Sequence, residues 1–258
     1  MTLLHEQTTT TAAASFTEAE VALLPTGAVE QHGPALPLGT DFLAAEAIAH
    51  AVDEAETDVQ TVTLPTLPVG VSAHHRQFHG TLWTEPETFA AYVRDVTASV
   101  ASHGIRKVVA VNGHGGNDEA LNSAARAVRA DGTAFLAPWH WFSDLGGLEE
   151  ELFEQDGVGH ADAVESSMVY AVAADLLREA ALEDAEADAA DSWGRTVHGA
   201  EVGFDTADFS ASGAVGSPTE ASRENGEKLF EHATTELAAL VEWLADREFE
   251  ALLPEPHR

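Results

Sequence analysis

Apolar positions along this chain fall into two alternating patterns. Four short runs, Glu20–Pro25, Val59–Leu64, Ile105–Val111 and Thr133–Pro138, are rich in Val, Leu and Ile and apolar at most positions. Strands buried on both faces read this way. Between and after them lie longer stretches with helical spacing: Phe42–Glu56, Pro86–His103, Asn117–Asp131, Ala161–Leu182 and Pro218–Asp246. Thr84 with Glu87, and Ser217 with Glu220, have the spacing of capping boxes, the second with Pro218 at the first helical position. Strands alternating with helices predict an α/β fold, a mainly parallel sheet flanked by helices on both faces. The whole chain, 1–258, reads as one domain in which residues 1–15 form a disordered leader. Leu182–Asp191 and Gly199–Gly216 read as a surface excursion before the last helix.

Charge changes the picture of the surface. Forty-four acids stand against 12 bases, a formal net charge of −32, and lysine occurs only at Lys107 and Lys228. Such a surface repels nucleic acid and anionic membranes, which excludes both as partners. It also repels itself, a penalty that molar salt removes by shrinking the Debye length to roughly 3 Å. The simplest account is a halophilic source. The absence of cysteine excludes disulfides, thiolate metal sites and cysteine nucleophiles. With no long apolar run and no basic-then-apolar leader, the chain is expected to be cytoplasmic.

The chemistry-bearing residues follow the strands. Glu30, His32 and Asp41 come after the first, in a Gly/Pro-rich stretch, Glu30-Gln31-His32-Gly33-Pro34 to Leu36-Pro37-Leu38-Gly39-Thr40-Asp41. His74, His75 and His79 follow the second strand, Asn112 and His114 the third, and Trp139, His140 and Trp141 the fourth. A parallel sheet brings the ends of its strands to one edge, where open α/β sheets bind ligands. Carboxylates and imidazoles gathered there suit a divalent metal. Asn112-Gly113-His114-Gly115-Gly116-Asn117 lacks the Lys-Ser/Thr ending of a phosphate-binding loop. Asp162 fits a helix-dipole role, whereas Glu165 sits in an apolar run and needs a partner. Trp193 and the other isolated tryptophans, Trp83 and Trp243, read as packing.

Gly27 to Pro34, Leu36 to Asp41, Asn112 to Asn117, His160 to Ser167 and Gly213 to Pro218 together resemble the signature blocks of the creatininase (creatinine amidohydrolase) family, over about Glu20 to Trp243. The resemblance implies an α/β metallohydrolase that cleaves C–N amide bonds, two divalent ions per subunit (zinc, manganese or iron), and a homo-oligomer, commonly a hexamer. It implies Glu30, Asp41 and His114 as ligands of one metal, His32 and Asp41 as ligands of the other, and His160 in proton transfer. Where creatininases carry Tyr and Glu, this chain has Gly115 and Gly116, so Glu165 is the candidate for the missing carboxylate and for a catalytic role. Trp141 matches one of two tryptophans that frame creatinine, and Asp156 stands where the other is expected. His75, Gly115 and Trp141 are the expected substrate-facing positions.

The implied substrate is a small-molecule cyclic amide or formamide, not an ordinary peptide bond. The Gly-Gly block also resembles relatives that deformylate a formamidopyrimidine ribonucleotide in archaeal flavin and deazaflavin biosynthesis, and peptide-cleaving members of redox-peptide maturation. A mononuclear hydrolase and a non-catalytic metal-binding paralogue stay open at this point.

Overall fold

The computed structural model describes residues 3–54, 59–154 and 158–255. Strands β1 (Val21–Thr26), β2 (Thr61–Thr63), β3 (Lys107–Asn112) and β4 (Phe135–His140) form one parallel sheet in the order β2-β1-β3-β4. Side chains alternate between its faces. Val21, Leu23, Val109 and Val111 enter one core, while Ala22, Leu24, Val108 and Ala110 enter the other. Helix α1 (Thr9–Glu18) precedes the sheet, and α2 (Thr40–Glu54) follows β1. The second core holds residues of α3 (Pro86–Ser102) and α4 (Asp118–Ala130). The first holds residues of α2, α6 (Ala163–Val172) and α8 (Arg223–Ala245), and the short α5 (Leu148–Leu152) packs against it. The expected layering is therefore present, and strand order reverses between β1 and β3, the place where such sheets open a crevice.

Several local expectations are corrected. Residues 3–15 are folded: Leu3 is buried and bridges Thr63. Thr8 and Thr11 form a reciprocal capping box at the start of α1. Thr8 to Thr11, which fall within the expected disordered leader, thus start a helix. Thr84 does not cap α3, because its backbone N–H and hydroxyl both donate to the carbonyl of Gly70. Glu220 accepts from the backbone N–H of Glu154 instead of closing a box with Ser217. The cap of α8 is Ser222, which accepts from Asn225 N at 3.1 Å.

The expected 22-residue helix ends at Val172. Beyond it, the N–H of Arg178 donates to Ala35 O, and Leu182 and Ala185 of α7 (Leu182–Ala187) join Ala35, Leu36 and Ala214 in a third apolar cluster. Tertiary packing overrides helical periodicity there. The 199–216 region is more than a surface excursion. It supplies β6 (Ala200–Gly203), which pairs antiparallel with β5 (Arg195–Val197) just before it, and then a buried segment in which Val215 exchanges both backbone hydrogen bonds with His160. The expected helix end at Glu56 and the position of Asp156 lie outside the described residues. Among those described, no helix is long and apolar enough to cross a membrane.

Helices α6 and α8 cross with backbone in contact at Gly226, where a Cβ would lie 1.9 Å from the carbonyl oxygen of Ser167. Gly226→Ala should cost about 1–3 kcal/mol, the range of core overpacking. Denaturant unfolding of both forms in the same molar salt would measure the loss, and an unchanged midpoint would show that the crossing yields freely.

Candidate metal centre

Seven buried titratable side chains converge at the carboxyl edge of β1 and β3. Glu30 and His32 come from the loop after β1, and Asp41 from the first turn of α2. His114 comes from the loop after β3, and His160 and Glu165 from the start of α6. His75, in the single 3-10 turn Ala73–His75, closes the ring. Asp41 sits between two imidazoles: Oδ1 is 2.9 Å from His32 Nε2, and Oδ2 is 3.3 Å from His114 Nδ1. Glu30 also faces two, with Oε1 3.2 Å from His75 Nε2 and Oε2 3.3 Å from His114 Nε2. Glu165 Oε2 lies 3.6 Å from His32 Nε2.

Glycines make this convergence possible. A Cβ on Gly113 would lie 2.1 Å from Asp41 O, so the β3 loop touches the α2 backbone there. At Gly116 a Cβ would meet His114 Nε2, Val71 O and His74 Cε1 within 2.3–2.9 Å. The loop leaves no room for a side chain at 116. Gly115, by contrast, faces open space. The His160-Ala161-Asp162 turn contributes too. Ala161 holds φ at +48°, unfavourable for a residue with Cβ, while Asp162 caps α6 and accepts from Glu165 N. The backbone N–H of Ala161 donates to Glu165 Oε2 at 2.5 Å, aiming that carboxylate inward.

The ring nitrogens can be assigned from their partners. His32 Nδ1–H donates to Glu30 O at 3.2 Å, leaving Nε2 to face Asp41 and Glu165. His114 Nε2 lies 3.0 Å from Val71 O and donates there, leaving Nδ1 toward Asp41. Metal-binding histidines characteristically donate their second nitrogen in this way. Gln31 organises the remaining two. Its Oε1 accepts from Gly33 N, which fixes the amide, and its Nε2 donates to Gly213 O and His75 Nδ1. His160 Nε2–H then donates to Gln31 O at 2.8 Å. His160 Nδ1 is left facing Glu30 and Glu165 at 3.8 and 3.9 Å, too far for a hydrogen bond to either.

Burial and charge pull these groups apart. Burial disfavours the charged form of His32, yet the Asp41 and Glu165 carboxylates outweigh it and raise the imidazole to about 10. Burial and the neighbouring His32 and His75 hold His160 well below its usual value, so it stays neutral. His74, half-buried on the wall, falls to about 4, chiefly through burial. Burial works against the Glu30 carboxylate as well, but His114 and His75 hold it well below the ordinary range. Burial, reinforced by Asp41 and Asp162, raises Glu165 from 4.5 to about 8.

Four buried atoms in this cluster have no hydrogen-bond partner: Glu30 Oε2, His32 Nε2, Asp41 Oδ2 and His75 Nε2. Each instead faces a carboxylate or imidazole of the cluster at 2.9–3.3 Å. Two overlapping ligand groups can be drawn, Glu30–Asp41–His114 and His32–Asp41–Glu165, with all donor atoms in each within 4.8 Å of one another. Oxygen and imidazole donors with unmet lone pairs fit one or two divalent cations.

The cluster forms the floor of a cavity of about 490 Å³. Of the expected substrate-facing positions, His75 and Gly115 line it and Trp141 does not. Trp141 is buried in the core against Phe142, and it is Phe142 that reaches the cavity. Trp193, expected to be packing, lines the cavity edge-on to His74, His75 and His160. His79 is exposed away from the cluster, and His140 contacts Asn112 and Asp118. Gln31 and Thr206, whose hydroxyl is 2.8 Å from His75 Nδ1, were missed because neither is a metal-ligand type.

A sequence profile described as "Creatininase: Creatinine amidohydrolase" matches residues 5–241. The chain is 31% identical over 230 residues to a protein of Mycolicibacterium smegmatis named mycofactocin precursor peptide peptidase, covering 87% of this chain and 86% of that one. A crystal structure of creatinine amidohydrolase superposes with a TM-score of 0.79 at 24% identity, covering 95% of this chain and 98% of the other. A mutant creatininase described as Zn-Zn type gives 0.77 at 25% identity, covering 95% and 99%.

The proton on Glu165 makes the metal-free protein sensitive to pH. The folded carboxyl holds a proton that the unfolded chain releases near 4.5. Its stabilisation is therefore fully present below that pH and lost as the pH rises through about 8. Between pH 5 and 8 the unfolding midpoint of the metal-free protein should fall relative to that of Glu165→Gln. Parallel profiles would contradict a buried, protonated Glu165.

Proposed function

The chain belongs to the creatininase family of amidohydrolases, and on that footing we propose that it uses two divalent metal ions to hydrolyse a C–N amide bond. Glu30, Asp41 and His114 would hold one ion, and His32, Asp41 and Glu165 the other, with zinc, manganese or iron suited to these donors. The observation that carries the reading is Asp41, whose two oxygens each face a different imidazole while Oδ2 has no hydrogen bond. When bound, such ions supply Lewis-acid polarisation of the carbonyl and a water acidic enough to ionise near neutrality.

The rest of the chemistry belongs to the chain's own residues. His160 is neutral, and Gln31 holds its Nε2–H, so Nδ1 is the basic atom. That nitrogen accepts the proton of the attacking water and delivers it to the leaving nitrogen, which cannot depart as an amide anion. Glu165 serves as a ligand once its proton is displaced, which couples metal loading to proton release. His75 and Gly115 face the substrate, and Gly115 leaves room beside the scissile bond.

A cyclic amide or formamide is the substrate this reading reaches first. The buried position of Trp141 removes one wall that creatinine would need, which favours an amide on a larger body. A peptide amide is the second reading, favoured by the identity with the mycobacterial peptidase across most of both chains. Halophily and homo-oligomerisation, with a hexamer as the family's form, complete the proposal. The charge of −32 supports the first.

Elemental analysis of protein purified in molar salt should give two metal equivalents per subunit. In Asp41→Asn both should be lost with the circular dichroism spectrum unchanged; full occupancy in that variant would remove the shared-ligand assignment. A single equivalent in the native protein would leave a mononuclear site. His160→Ala should keep both metals and lose about 10²–10⁴-fold in kcat on any amide the native enzyme cleaves. If that variant kept native turnover, His160 would have no part in proton transfer.

A further inference from the structure

Beside the titratable cluster, part of the cavity wall is aromatic. Trp193 stands edge-on to the imidazoles of His74, His75 and His160, with ring centroids 5.8–6.1 Å away, yet 52% of its surface is exposed. Phe204, 70% exposed, and Phe142 line the same space. Large rings left in water at the mouth of a buried polar cluster are unspent binding surface. Their backbone is firmly placed. Trp193 and Phe204 flank the β5–β6 hairpin, whose turn residues His198 and Gly199 both have positive φ, the geometry of a tight two-residue turn. Beyond Phe204, Asp205 pairs with Arg76, and Thr206 hydrogen-bonds His75. Phe209 packs edge-on against Trp193.

Among the described residues that line the cavity there is no lysine or arginine. Arg76 is committed to Asp205. A phosphate on the substrate would find no cation on this side, in a protein whose net charge already repels anions.

We infer that Trp193, Phe204 and Phe142 form an aromatic subsite that takes a flat, uncharged group attached to the scissile amide, and that phosphorylated amides are excluded. This rests on the amidohydrolase reading and narrows its substrate class. Trp193 takes the place of a substrate wall that the buried Trp141 does not supply, from a part of the chain distant in sequence.

The test is calorimetric titration of the zinc-loaded protein with acetanilide, N-cyclohexylacetamide and 4-acetamidobenzenesulfonate, the last keeping a distal anion that coordinates zinc poorly. Acetanilide should bind about three- to tenfold tighter than its saturated counterpart, the range of one aromatic pair. The sulfonate should bind more weakly than either. Trp193→Ala should erase the preference for the ring and Trp193→Phe should restore most of it. The subsite is overturned if the native protein shows no ring preference, if the preference survives in Trp193→Ala, or if the sulfonate binds tightest. Trp193-dependent binding of the ring, in a protein that cleaves no amide, would keep the subsite and sink the amidohydrolase reading. Cleavage indifferent to Trp193 would do the reverse.

Discussion

A single buried carboxylate, that of Asp41, fixes where everything else must go. It is the first-turn residue of α2, so its position is set by a helix packed on the sheet, and each oxygen is aimed at a different loop. His32 reaches it from the same β1–α2 connection, and His114 from the end of β3. Those two strands are neighbours in the sheet and lie where the strand order reverses. Their junction is braced by amides: Asn117 donates to Gly27 O and Asn112 Oδ1 and accepts from Val71 N. Three loops are thereby locked in register before any ligand arrives. Electrostatic preorganisation of this kind costs nothing at the moment of reaction.

The second set of side chains depends on Gln31 in the same way. One amide touches His75, His160, Gly33 and Gly213, and a Cβ at 213 would lie 1.9 Å from its oxygen. The segment around 213–215 thus presses against the back of the cluster and pairs with His160 through Val215. The hairpin region belongs to the same scaffold, since Thr206 ends on His75. What looks peripheral in the chain is therefore one residue away from the proposed chemistry.

Much of this was legible in the sequence, for physical reasons. Strands buried on both faces announce themselves by continuous apolar runs, and parallel pairing then sends Glu30, His75 and His114 to one rim. Helix ends were less legible. Thr84 and Ser217 had the right spacing, but Gly70 and the surrounding loops competed for their polar groups. The break after Val172 depends on Ala35, far away in sequence, so no local period could reveal it. At the site, residues of metal-ligand type stood out. Gln31, Thr206 and Trp193 did not, since an amide, a hydroxyl and an indole are common in loops without function. Trp141 misled because a residue's place in a motif does not say which way its ring turns.

The crowding at Gly116 carries a consequence for how such proteins change over time. A glutamate there would strike the ring of His114, the carbonyl of Val71 and the ring of His74 together. The version of this loop that bears a carboxylate and the version found here are therefore not joined by a single amino-acid replacement. The 71–75 turn would have to retreat first, since the backbone of Val71 and the ring of His74 both occupy the space that a side chain at 116 would need.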